Sequence, residues 1–159
     1  MTDVPQQPGR IIYQSRVPFE TDRVRAAAVY CSDGRFGDQI DDLLHDALGL
    51  PRYDRLAVPG GAACLAHHFA SFFEQEAVVR QLQFLVTVHG LRRIVLVGHE
   101  RCAYYSQRLH VSAADLEACQ RADLAASIQR VRSLADGIHV DAYYAHTHEG
   151  RVFFEALAL

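Results

Sequence analysis

Arg93-Ile94-Val95-Leu96-Val97-Gly98-His99-Glu100-Arg101-Cys102 is the stretch on which the fold turns. After the leading Arg it is apolar and rich in β-branched residues, and Gly98 ends it, so it reads as a buried strand with His99 and Cys102 in the turn that follows. Far upstream, Val24-Arg25-Ala26-Ala27-Ala28-Val29-Tyr30 reads the same way and runs into Cys31-Ser32-Asp33-Gly34-Arg35. If the two strands are parallel, both sets of reactive side chains emerge on one edge of the sheet. In open α/β sheets that edge holds the ligand crevice, at the point where strand order reverses.

The rest of the chain alternates in the same manner. A helix is predicted over roughly 37–48, with Ile40, Leu43, Leu44 and Leu48 on one face and Gly49-Leu50-Pro51 as its stop. Arg55 to Val58 is a second strand, ended by Pro59-Gly60-Gly61, and 62–90 contains helix in two pieces. Ser112 is an N-cap for a helix whose stripe includes Leu116, Leu124, Ile128, Val131 and Leu134, with Gly137 as terminator. Ile138 to His146 and Arg151 to Ala156 form a closing hairpin around His148-Glu149-Gly150. Strands alternating with helices predict an α/β fold with a parallel sheet. All 159 residues form one domain, and residues 1–23, with Pro5, Pro8 and Pro18, make an extended arm whose anchors would be Ile11, Ile12, Tyr13 and Phe19.

Composition excludes several classes of function. The formal charge is -3 and half the residues are hydrophobic, so neither nucleic acid nor an anionic membrane is expected as a partner. All sixteen basic residues are Arg. Without Lys there is no Schiff-base chemistry and no Walker-type phosphate loop. The four cysteines, at 31, 64, 102 and 119, follow an amino terminus with no apolar leader, which points to reduced thiols in the cytoplasm. No run reaches the ~18 apolar residues of a spanning helix.

Two thiols, an imidazole, a carboxylate and a guanidinium at matching strand ends are the parts of a catalytic zinc site. Zinc accepts Cys sulfur and His nitrogen, and three protein ligands leave a fourth position where bound water acquires a pKa of about 7. A thiol redox module using Cys31 and Cys102 is the competing reading, and it lacks the Cys-x-x-Cys spacing. Cys64 and Cys119 are expected in packing, His67 and His68 on a helix surface or against aromatics, and His146 and His148 on one solvated strand face. Tyr104 and Tyr105 line the pocket or fill the core, and Glu100 and Arg101 are exposed turn charges.

The pairing of Cys31-x-Asp33-x-Arg35 with Gly98-His99-x-x-Cys102 resembles the β-class carbonic anhydrases, over most of residues 24 to 156. Ala57-Val58-Pro59-Gly60-Gly61-Ala62 stands where that family has a glycine-containing segment. The resemblance implies a three-layer fold, its mostly parallel sheet ordered near 2-1-3-4 with a C-terminal hairpin strand. It also implies Cys31, His99 and Cys102 as ligands of Zn2+, with Asp33 and Arg35 as the catalytic dyad. Asp33 would either bind the metal as a fourth ligand or pair with Arg35 and leave that position to water. The implied reaction is reversible hydration of carbon dioxide to bicarbonate by metal-bound hydroxide, in a homodimer or higher even-numbered homo-oligomer. The chain departs from the family at Gly34, where Ser is usual, at Ala103, where Gly is usual, and in a longer stretch over 60–80 that includes Phe69, Phe72 and Phe73. A carbonic anhydrase-like zinc protein that has lost activity, or turned to carbon disulfide or carbonyl sulfide, is the alternative those departures raise.

Overall fold

The computed structural model describes residues 9–158, so the part of the arm at 1–8 lies outside the described residues. A five-stranded sheet carries the structure, formed by β1 (Ala26–Cys31), β2 (Asp54–Val58), β3 (Arg93–His99), β4 (His139–His148) and β5 (Arg151–Ala156). Its order is β2-β1-β3-β4-β5, with the first four strands parallel and β5 antiparallel to β4. The expected order and the closing hairpin are both present.

Burial on both faces explains why the central strands read as unbroken apolar runs. Ala27 and Val29 of β1 and Ile94 and Leu96 of β3 point to one side. They meet Val78 and Leu82 of α2 (Phe72–Phe84) and Leu124, Ile128 and Val131 of α3 (Leu116–Arg132). Ala28 and Tyr30, with Val95 and Val97, point to the other side, against Ile40 of α1 (Gly37–Asp42) and Leu44 just beyond it. Helices therefore cover both faces, which makes three layers. Each large core side chain contributes about 1.5–3 kcal/mol of burial.

Several helix ends differ from the periodic reading. α1 widens into a π-helical turn at Leu43–Ala47, closed by Leu48 N–H to the Leu43 carbonyl at 3.0 Å. α2 ends in a similar turn at Leu85–His89 and stops at Gly90, whose φ is +67°. The first piece of the 62–90 helical region is two short 3-10 turns, Gly61–Cys64 and Phe69–Ser71. The Ser112 hydroxyl does accept the Asp115 N–H, at 3.2 Å, but it closes a turn, and α-helical bonding starts at Leu116. Residues 9–25 contain no helix or strand, and Ile11, Ile12, Tyr13 and Phe19 are each at least 74% exposed. Among the described residues, no helix is long and apolar enough to cross a membrane.

The order in which strands are added across the sheet reverses between β1 and β3. The chain passes from β1 outward to β2 and then crosses back to β3 on β1's other side. Cys31 ends β1 and His99 ends β3, so the two motif turns open side by side at the switch point.

Candidate metal centre

The donor atoms of Cys31, His99 and Cys102 lie within 4.8 Å of one another, and no fourth donor joins them among the described residues. The two sulfurs are 3.8 Å apart. Two thiolates each about 2.3 Å from one tetrahedral ion stand about 3.8 Å apart, so the spacing fits a shared zinc. His99 Nδ1–H donates to the Glu100 carbonyl at 2.8 Å, which fixes the tautomer and leaves Nε2 with its lone pair. That Nε2 is buried and has no hydrogen-bond partner among the described residues. A buried acceptor without a partner needs an explanation, and a cation shared with two sulfurs supplies one.

Short-range geometry holds each donor in place. Nearby backbone groups of Gly60 and Asp33 favour an ionised Cys31 and those of Tyr104 and Tyr105 an ionised Cys102, and the Tyr105 N–H closes the turn on the Cys102 carbonyl at 3.2 Å. The contact between the two sulfurs eases the first ionisation of the pair, the neighbouring thiol favouring a thiolate beside it, and hinders the second. Phe36 packs on the His99 ring at 4.3 Å between centroids. Gly60 and Gly61 both have positive φ, +84° and +52°, and a Cβ on Gly61 would stand 2.7 Å from the backbone of Tyr30 and Cys31. Gly61 is thus required by how closely the turn after β2 approaches the end of β1, and Gly60 by the Tyr104 ring, which a Cβ there would overlap.

Asp33 and Arg35 meet as a fork on a carboxylate. Arg35 Nε lies 2.9 and 3.1 Å from the two Asp33 oxygens, and Arg35 N–H bonds Oδ1 at 3.1 Å. The guanidinium beside it holds the Asp33 carboxyl down at about 2, and the pair occupies Asp33 away from the Cys31, His99 and Cys102 cluster. A cleft of about 390 Å³ opens here, lined by Cys31, Asp33, Pro59, Ala103, Tyr104 and Arg108 among others. Ala103 has φ -62° and ψ -27°, an ordinary helical conformation, so its methyl brings no backbone strain. A Cβ on Gly34 would meet nothing within 4 Å, so that departure removes a side chain without opening a packing defect.

Other expected residues fall as follows. Cys64 is buried, its thiol donating to the Pro59 carbonyl at 3.3 Å, and Cys119 packs in the small cluster around Cys102 and Tyr105. Tyr105 is core, whereas Tyr104 lines the cleft. Arg101 is exposed, but Glu100 is half-buried and accepts a hydrogen bond from the Thr147 hydroxyl. His68 does not lie on a helix: it is extended, pairs with Asp123 at 2.6 Å, and sets its ring edge-on to Tyr105. His146 is bonded to Glu155 at 3.1 Å, while His148 is exposed.

Two residues that matter to the centre had drawn no attention in the sequence. Pairing of β1 with β3 ends at Tyr30 and Val97, two residues short of His99. There Gln120, buried on α3, donates to the His99 carbonyl at 2.7 Å and accepts from the Tyr144 hydroxyl at 2.8 Å. Gly98 permits this reach, since a Cβ there would press on Leu124 at 3.1 Å.

Comparison with solved structures places this architecture. A carbonic anhydrase from Streptococcus mutans is 19% identical, with 89% of this chain and 87% of that one covered and a TM-score of 0.54. The β-carbonic anhydrase isoform I of Trichomonas vaginalis is 18% identical, covering 87% of both chains at the same TM-score. A carbonic anhydrase from Glaciozyma antarctica is 16% identical, covering 82% and 80%, at 0.53. At these identities the likeness speaks for the fold. No curated protein matches the chain. The family model described as "Putative carbonic anhydrase" matches residues 21–153, most of the chain and both motif turns. The chain belongs to that carbonic anhydrase family, as a divergent member with the β-class fold.

Proposed function

We propose that the protein catalyses the reversible hydration of carbon dioxide to bicarbonate, with zinc held by Cys31, His99 and Cys102 and with Asp33 and Arg35 as its catalytic dyad. The observation that carries this reading is the partnerless Nε2 of His99 facing two sulfurs 3.8 Å apart. Zinc in that position would supply a Lewis acid that brings the pKa of water toward neutrality. The chain's own residues do the rest. Arg35 keeps Asp33 ionised and immobile, and the carboxylate lone pairs that Arg35 leaves free would accept a hydrogen bond from water and so orient its oxygen. Pro59, Ala103 and the Tyr104 ring give the cleft apolar walls, suited to a small linear molecule without charge. The same walls would admit carbon disulfide or carbonyl sulfide, the alternative substrates.

The exposed apolar side chains of the arm support assembly as a homodimer or a higher even-numbered oligomer. Four free thiols fit a reducing, cytoplasmic setting. Metal analysis combined with stopped-flow hydration of carbon dioxide tests the proposal, on the wild type and on Asp33→Ala. The expected result is zinc near one per chain and turnover that falls about 10–100-fold in Asp33→Ala. Stoichiometric zinc with no hydration would overturn the lyase reading, and carbon disulfide hydrolysis by the same sample would establish the alternative.

A further inference from the structure

The long stretch after β2 and the turn after Cys102 come together at the cleft through one ion pair. Glu74, in the first turn of α2, accepts from Arg108 Nη2 at 2.8 Å. Arg108 ends the turn Tyr104–Arg108 and lines the cleft beside Gln107, Asp33 and Cys31. Arg108 is the guanidinium of the cleft lining, and it is bound very differently from Arg35, which is held by Asp33 of the cleft wall. Arg35 is engaged with both oxygens of Asp33 through several contacts, whereas Arg108 makes a single side-chain hydrogen bond among the described residues. Both partners of the second pair are 47% exposed, and an exposed single-contact pair is weak and easily exchanged.

A guanidinium with its remaining N–H donors free, at the mouth of a cleft with apolar walls, matches a small planar oxyanion through two parallel N–H···O bonds. We propose that Arg108 is the anion-receiving residue of this cleft and that Glu74 competes with the incoming anion for it. Bicarbonate is the natural occupant, an identification that rests on the proposed reaction; the site itself is one for small oxyanions. Glu74 then sets how strongly anions are retained, releasing Arg108 when one arrives and taking it back when one leaves.

Two variants with opposite expected signs test this. Nitrate is titrated into the full-length protein at fixed ionic strength, in zinc-loaded and in chelator-treated samples, and followed by the Arg108 Nε–Hε resonance and the Gln107 amide. Glu74→Gln, which removes the competitor and one negative charge, is expected to tighten nitrate binding about two- to fivefold. Arg108→Gln is expected to weaken it about fivefold or more, read at Gln107. Both sites are exposed, and a retained amide spectrum shows that each variant is folded. Affinities unchanged in either variant, or shifted in the same direction in both, overturn the proposal. Opposite shifts in a protein that binds no zinc would uphold the anion site while sinking the metal reading, and zinc with normal hydration but no shift would do the reverse.

Discussion

Replacing Gln120 with Leu keeps its volume and removes two hydrogen bonds from beside the candidate centre. The His99 carbonyl and the Tyr144 hydroxyl would both lose their partner, and His99 and Tyr144 are 2% and 1% exposed, so water cannot readily replace it. With each orphaned group at about 1.5 kcal/mol, Gln120→Leu should cost about 3 kcal/mol. Tyr144→Phe orphans only the Gln120 oxygen, at about 1.5 kcal/mol. The double variant leaves only the His99 carbonyl unpaired and should also cost about 1.5 kcal/mol, far less than the two single changes together. Urea denaturation of the four proteins measures the cycle, and zinc competition adds a second readout. Gln120→Leu should loosen zinc about tenfold or more through the displaced His99 turn. Additive stabilities, or a Gln120→Leu protein within about 0.5 kcal/mol of wild type, would refute the claim that this network holds the turn.

Two further tests probe the frame. Gly61→Ala puts a Cβ 2.7 Å from the backbone of Tyr30 and Cys31 at a φ of +52°, and should destabilise by about 2–4 kcal/mol, whereas Gly34→Ser, with nothing within 4 Å, should change stability by less than about 0.5 kcal/mol. Equal denaturation midpoints for those two variants would defeat the steric account. Glu155 of β5 is held down at about 2 by Arg121 of α3, with His146 assisting. Because the folded value is depressed, its stabilisation is fully present above the ordinary carboxylate range and is lost as pH falls through about 2. Arg121→Gln should bring the Glu155 pKa back toward that range in a carboxyl-detected NMR titration; a value still near 2 would show that the latch lies elsewhere.

The strands were legible because the centre of the sheet is covered on both faces, which leaves little room for polar residues between Ala26 and Tyr30 or between Ile94 and Val97. Their ends were less so. Val24 and Arg25 extend the apolar-looking run but lie before the first paired residue, Ala26 opposite Arg93. β4 continues to His148 because β5 pairs with it as far as Arg151, beyond the last parallel rung at Ala145. The three donors of the candidate centre were also legible, since each sits at a strand end or within three residues of one, where topology alone decides who meets whom. The wide turns that end α1 and α2 leave no comparable mark in side-chain periodicity.

What escaped notice is long-range and polar. Glu74 and Arg108 are 34 residues apart, and charged side chains on a helix and a turn look solvated until the two segments are known to touch. Gln120 is different, because a signal was there. It falls on the stripe of α3 that runs through Leu116, Leu124, Ile128 and Val131, four residues after the first and four before the second, so the same periodicity that buries those leucines buries it. A polar residue on an apolar stripe must find a partner inside the protein. α3 lies against β3 and β4, and the groups there that lack strand partners are those past the end of β1's pairing, at the His99 turn. The strand ends that bring the three candidate donors together thus also leave the His99 carbonyl for Gln120 of α3 to brace.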